Sequence, residues 1–256
     1  MKHIPLLALA FTALTFSLAA CGDKDENDDN GDGQLLCKEA KLVSCEDAAI
    51  LELDLQNSIA PGLFTNTVEG SDWLTVVDAT AGGFNANPPH AYVYGRFTAN
   101  GLEKVSLTDE AALASMDWDI AFRRYVARIN SGDSGPSCVQ AALLANTTYG
   151  AVTSANTAAI YRDDDWLTDS CDFVNDGTGL PGAPASAISG YWSYPGCVSM
   201  TGNVYQLQLR DGRVLKLTVE AYYLPNVQAE CQADDVTTTT PTGSGTVRLR
   251  WAFLGD

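Results

Sequence analysis

Gly132-Asp133-Ser134-Gly135-Pro136 looks like the nucleophile turn of trypsin-like serine proteases, short of one glycine. A serine in such a turn attacks a carbonyl only when a histidine takes its proton. The chain has 2 histidines: His3 lies in an N-terminal leader, and His90 follows Asn87-Pro88-Pro89 without the surroundings of a catalytic base. The motif is therefore read as a tight turn in which Asp133 and Ser134 bond their own backbone. The acidic run Asp163 to Asp165 could hold a hard cation, but a charge run in a loop is read as solvated. Acids are plentiful enough for a glycosidase pair, yet nothing singles out two of them. Rossmann and P-loop glycine patterns are absent. Tyr191, Trp192 and Tyr194 form an aromatic cluster that could stack on a sugar or a macrocycle, although core packing is the commoner use.

Cysteines carry the next piece of chemistry. Lys2 and His3 precede an apolar stretch, Ile4 to Phe16, that ends in Leu18-Ala19-Ala20-Cys21. The stretch is too short to span a bilayer as a mature helix and suits a signal segment. The tetrapeptide resembles a lipobox, so residues 1–20 read as a lipoprotein signal peptide and Cys21 as the lipidated residue. Acyl chains contribute about 0.8 kcal/mol per buried methylene and would anchor the chain without a spanning helix. Residues 22–34 carry six acids and one lysine and read, with Cys21, as an acidic tether over 21–34. Asp28, Asn30, Asp32, Gly33 and Glu39 match calcium-loop spacing, with Leu35 at the apolar position. A calcium loop needs an entering helix, for which an acidic, Gly-broken stretch is poorly suited, and a tether rich in Asp, Asn and Gly produces the pattern by chance, so the tether reading is preferred. The other six cysteines, Cys37, Cys45, Cys138, Cys171, Cys197 and Cys231, read in an exported chain as up to three disulfides. Cys37 and Cys45 are close enough in sequence to close a small loop.

Charge limits the partners. The 256 residues carry 15 Lys plus Arg against 32 Asp plus Glu, a formal charge of −17. A nucleic-acid partner is excluded, because phosphate neutralisation needs a basic footprint. Electrostatic docking on anionic lipid is disfavoured for the same reason.

The elements that must position any site are mostly strands. Period-two alternation marks Ile50 to Leu55, Trp73 to Val77, Ala91 to Phe97 and Lys104 to Leu107, with a longer strand over Trp118 to Ile129. One short helix is expected over Thr108 to Ser115, with Thr108 as its cap and Asp109 and Glu110 in its first turn. Val204 to Arg210 and Val214 to Ala221 form a hairpin, with Asp211-Gly212 read as a type I′ turn. Thr246 to Leu254 places Val247, Leu249, Trp251 and Phe253 on one side and Arg248 and Arg250 on the other. Turn-rich loops such as 176–185 and 237–244 separate the strands. The fold class is all-β: a single antiparallel β-sandwich-like domain with one short helix, stabilised by disulfides.

Trp118-Asp119-Ile120-Ala121-Phe122-Arg123-Arg124-Tyr125, continuing through Arg128, Asn130, Gly132, Ser134 and Gly135, resembles the central block of the HmuY family of bacterial haem-binding lipoproteins. The likeness covers roughly 88–256, including Gly190-Tyr191-Trp192 and the Asn203 to Tyr223 hairpin, and leaves 35–87 as an N-terminal extension of the domain. It also accounts for the protease-like motif, which falls inside the block. The resemblance implies a membrane-anchored, non-enzymatic protein of the cell envelope, at the outer membrane, that captures haem or a related macrocycle and hands it to an outer-membrane receptor. In the family, two histidines or methionine ligate the iron from between the central block and the late hairpin. Residues 136–203 hold no histidine here, and Met200 is the side chain the resemblance offers as a haem ligand. Arg123, Arg124 and Arg128 could pair haem propionates, with pairing to the protein's own acids the commoner role. A structural or adhesive surface module binding glycan or protein through the aromatic cluster is the alternative.

Overall fold

The computed structural model describes residues 35–255. The signal segment, Cys21, the acidic tether and the Asp28 to Gly33 part of the calcium-loop pattern lie outside them. Within them run α1 (Glu46–Glu52), β1 (Phe64–Glu69), β2 (Asp72–Asp78), β3 (Val93–Thr98), β4 (Gly101–Val105), α2 (Asp109–Ala112), β5 (Ile120–Arg123), β6 (Val126–Ile129), β7 (Gln140–Leu144), β8 (Trp192–Ser193), β9 (Ser199–Met200), β10 (Val204–Gln208), β11 (Val214–Ala221), α3 (Pro225–Asp234) and β12 (Thr246–Leu254). The strands form a sheet in the order β1-β2-β12-β11-β10-β7, a second in the order β4-β3-β5-β6, and the small β8-β9 pair. Every pairing is antiparallel.

Alternation decides which side chains meet. Val77, Leu215, Leu217, Leu249 and Trp251 of the larger sheet share one core with Phe97, Ile120, Phe122 and Ile129 of the smaller. This is the sandwich expected from the sequence. The opposite face of the smaller sheet is buried too, because Tyr94, Ala121 and Val126 form a second core with Ala49, Leu53, Trp118 and Trp166. Phe253 is only partly buried at the rim, whereas Val247, Leu249 and Trp251 are fully enclosed.

Several expectations need correction. Ile50 to Leu55 is not a strand. Its first residues complete α1, whose Glu46 and Asp47 occupy the first turn, and Asp54 at φ 44 then reverses the chain. Ala48 and Ala49 favour helix, and the alternating Leu53 and Leu55 are buried just beyond its end. The long strand over Trp118 to Ile129 is two, β5 and β6, joined at Arg124-Tyr125 with Arg123 opposite Val126. Arg124 takes φ 52, and its N–H donates to the Ala79 carbonyl at 2.6 Å. No Gly or Asn marks that turn, so the sequence carries no signal for it.

The hairpin strands β10 and β11 form as expected, but their turn is not type I′. Gly212 has φ 83 and its N–H donates to Leu209 O, while Leu209 N–H donates to Arg213 O, and Asp211 is not among the positive-φ residues. That is a three-residue loop closed by a glycine bulge. The Thr108 cap is present, its hydroxyl accepting from Ala111 N–H at 3.1 Å. Two helices join the expected one. In α3 only Val227, Gln228 and Cys231 are buried, so its apolar periodicity is faint.

The six cysteines form three bridges: Cys37–Cys138, Cys45–Cys171 and Cys197–Cys231. The small Cys37–Cys45 loop does not form, because each of these cysteines is carried against a segment more than 100 residues away in sequence.

Candidate ligand cleft

The central block builds a buried, hydrogen-bonded support. Ser134 is fully buried; its hydroxyl donates to Asp164 Oδ2 at 2.5 Å and accepts from Trp166 Nε1–H at 3.0 Å. Asp133 Oδ2 accepts from the N–H groups of Trp166 and Leu167, both at 2.7 Å. Gly132 to Ser134 do form a turn, closed by Ser134 N–H on Ser131 O, but the Asp133 and Ser134 side chains bond residues 164–167 and not their own backbone as expected. Gly135 is required because a Cβ there would lie 2.3 Å from Asn130 Oδ1 and 2.8 Å from Trp118 Cζ2. Asn130 in turn donates to Ser115 O and Trp118 O and accepts from Ser137 N–H.

The solvated-run expectation fails at Asp164. It is wholly buried and also accepts from Ala187 N–H at 2.7 Å and Ile129 N–H at 3.2 Å. Burial pushes its carboxyl up to about 6, against the lowering effect of these donors. A buried carboxyl is retained here because its oxygens accept from Ser134, Ile129 and Ala187.

The three central arginines do not line the cleft described below. Arg128 is fully buried, donates from Nη2 to Tyr94 Oη at 2.7 Å and lies 4.1 Å from the Tyr92 ring centroid. Arg123 stacks on Tyr92 at 4.3 Å and donates to the carbonyls of Leu53 and Asp54. Asp109 stands 4.0 Å from Arg123, the acid-pairing role expected, whereas Arg124 and Arg128 pair with no acid among the described residues. Arg124 donates from Nη2 to Ser244 Oγ at 3.3 Å.

The aromatic cluster divides. Tyr191 is core: its hydroxyl donates to Tyr125 O at 2.6 Å, and burial holds its phenol well above the ordinary value. A phenol so placed stays neutral and is a poor iron ligand. Trp192 packs on Tyr125 with ring centroids 5.1 Å apart, yet its edge borders an open cleft of about 440 Å³. Asp176, Thr178, Ser189, Tyr194 and Pro195 border the same cleft, and Tyr194 is exposed. The 176–178 side comes from a turn-rich loop that read as a spacer. The Asx turn in which Asp176 Oδ1 accepts from Thr178 N–H at 2.9 Å was its one signal.

Met200 lies behind this cleft. It pairs across the β8-β9 ladder with Trp192 and is 9% exposed, with its side chain in the main core. Gln232 of α3 clamps its backbone, accepting from Met200 N–H at 2.6 Å and donating to Met200 O at 3.1 Å. The Cys197–Cys231 bridge fixes α3 beside it and removes Cys197 as a thiolate. His90 borders a separate crevice next to Gly82. Another cavity, about 430 Å³, lies between the edge strand β7 and residues 145–160, and no iron-ligand side chain lines it.

A family model described as HmuY protein matches residues 90–234, more than half of the chain. The chain belongs to the HmuY family. The cleft, its Trp192 wall and Met200 all fall inside the matched stretch, as does the central block. Among solved structures, an HmuY-like heme binding protein from Bacteroides vulgatus is 16% identical, covering 76% of this chain and 98% of its own, with a TM-score of 0.48. A Bacteroides fragilis lipoprotein is 15% identical over 76% of this chain and 97% of its own, at 0.43. The apo HmuY analog of Tannerella forsythia is 14% identical over 77% and 99%, at 0.40. No curated protein sequence matches the chain.

Haem iron takes His, Met, Cys thiolate or Tyr as axial ligands. Among the residues bordering the cleft, Tyr194 alone is of such a type, and Met200 is separated from it by the Trp192 ladder. As the side chains stand, this HmuY family member offers no axial pair there.

Proposed function

We propose that this HmuY family member is a lipid-anchored, non-catalytic binding protein of the cell envelope whose cleft takes haem or a related flat macrocycle. Capture and hand-over to an outer-membrane receptor is the role this reading assigns it. The observation that carries the reading is that the family match includes both walls of the cleft, from Asp176 to Pro195. Absence of an axial pair makes contact with the Tyr194 ring and the Trp192 edge the main source of affinity, since aromatic contacts contribute about 0.5–1.5 kcal/mol beyond area burial. Met200 is the thioether behind the cleft, and it contacts a ligand only if the β8-β9 ladder opens.

Haemin titration of the purified chain, followed in the Soret region, tests this. Metal-free protoporphyrin should bind within about tenfold of haemin, a difference under 1.4 kcal/mol. Tyr194→Ala should weaken both, and Met200→Ala should weaken haemin alone if the thioether reaches iron. A Soret band unchanged by the protein at micromolar concentration refutes the macrocycle.

A glycan is the second reading. It draws on the polar half of the cleft, where Asp176, Thr178 and Ser189 face the aromatic wall. A glycan array probed with the chain and with Tyr194→Ala separates it from the first.

A further inference from the structure

A further cavity, about 200 Å³, opens where the end of β3, the α2–β5 connection and the β10–β11 turn meet residue Leu35. It shares no lining residue with the Trp192 cleft. Its charged groups sort into pairs and a remainder. Arg96 Nη2 meets Asp117 Oδ1 at 2.9 Å, and Arg213 Nη2 meets Asp211 Oδ2 at 2.7 Å. Asp119 and Arg210 are left over.

Asp119 is 8% exposed, so its carboxylate is deep in the wall. Oδ2 accepts from Phe97 N–H at 2.8 Å, and Oδ1 has no donor among the described residues. Arg210 donates from Nε to Cys37 O at 3.2 Å, and its two Nη groups have no partner among the described residues. No ion pair joins Asp119 to Arg210 within 4.0 Å. Met116 and Leu209 supply apolar wall.

A carboxylate held in a wall with its second oxygen open to the cavity offers that oxygen to a cation or donor entering there. An unpaired guanidinium fork in the same small cavity favours a carboxylate. One ligand chemistry satisfies both. We propose that this cavity binds a free aliphatic amino acid, its ammonium on Asp119, its carboxylate on Arg210 and its side chain against Met116 and Leu209. Burial pushes Asp119 up to about 7, with the Phe97 N–H and Arg96 opposing, and an ammonium at Oδ1 would draw it down. The volume suits such a ligand, being below the roughly 300–1,000 Å³ of drug-sized pockets.

Isothermal titration of the full chain with L-leucine is the test, with 4-methylpentanoate and 3-methylbutylamine as the analogues lacking ammonium and carboxylate. Leucine should give a saturable heat with Kd below about 1 mM, and each analogue should bind at least about tenfold more weakly. Arg210→Gln sits at the cavity wall and leaves the Asp119–Phe97 bond intact; it should abolish leucine binding while keeping the circular dichroism spectrum. Asp119→Asn should do the same, and if that variant fails to fold, the carboxylate analogue decides the ammonium half. The proposal is overturned by no saturable heat up to about 10 mM leucine, by an analogue that binds as well as leucine, or by unchanged affinity in folded Arg210→Gln. Because the cavities share no residue, neither result bears on the macrocycle.

Discussion

Replacing Ser134 with alanine removes one hydroxyl from the point where the central block meets the buried acidic segment. The hydroxyl donates to the Asp164 carboxylate and accepts the Trp166 indole N–H. Loss of a hydrogen bond to a charged group costs about 1.5–3 kcal/mol, and a buried N–H left without an acceptor costs about 1–3 kcal/mol. Little compensation is available, because Ser134, Asp164 and Trp166 are all fully buried. The variant should lose about 3–5 kcal/mol in urea unfolding at neutral pH, a fifth or more of the about 5–15 kcal/mol that holds a typical domain.

The loss should also depend on pH. Asp164 is raised from 3.8 to about 6 in the fold, so the native state binds a proton that the unfolded chain has released. Its contribution is therefore most favourable below 3.8 and is lost as pH rises through about 6. Ser134 is the largest influence opposing that rise, so its removal lifts the folded value further. The destabilisation should then grow between about pH 5 and about pH 8. A loss under about 1 kcal/mol, or one that shrinks over that range, refutes the assigned role of the hydroxyl.

Three other outcomes follow from the same packing. Cys197→Ala with Cys231→Ala opens a loop of sequence separation 34 and should cost about 2–4 kcal/mol in reversible unfolding, with intact mass under non-reducing conditions confirming two remaining bridges. Arg128→Ala should cost about 3–5 kcal/mol and shift the near-ultraviolet aromatic circular dichroism, because it empties a cage of Tyr92, Tyr94 and Trp118. Gly135→Ala should lower stability by about 1–3 kcal/mol, read as a reduced midpoint of chemical unfolding, since its methyl would enter Asn130 and Trp118.

Much of the sheet architecture was legible along the chain. Tyr205 to Leu209 and Leu215 to Val219 announce β10 and β11 by alternation, and Val247 to Trp251 announces β12. The short edge strands β1 and β7 were not legible: β1 keeps only partial burial, so its residues carry no apolar alternation. At the site, the aromatic cluster was visible in the sequence, but its division into buried Tyr191 and exposed Tyr194 was not. Neither was the position of Met200 behind Trp192, which depends on a two-residue ladder and on Gln232 from α3.

By itself the sequence determined that this chain alternates its way into antiparallel sheets, carries an even set of six body cysteines and bears a formal charge of −17. Those properties are local or compositional: a pleat repeats every two residues, and charge is a sum. Tertiary structure alone decided which cysteine met which, which acid of Asp163 to Asp165 was drawn inside, and which arginines turned into the core. These outcomes depend on segments far apart in the chain, as between Cys45 and Cys171 or Ser134 and Asp164, where packing assigns a partner that no neighbouring residue specifies.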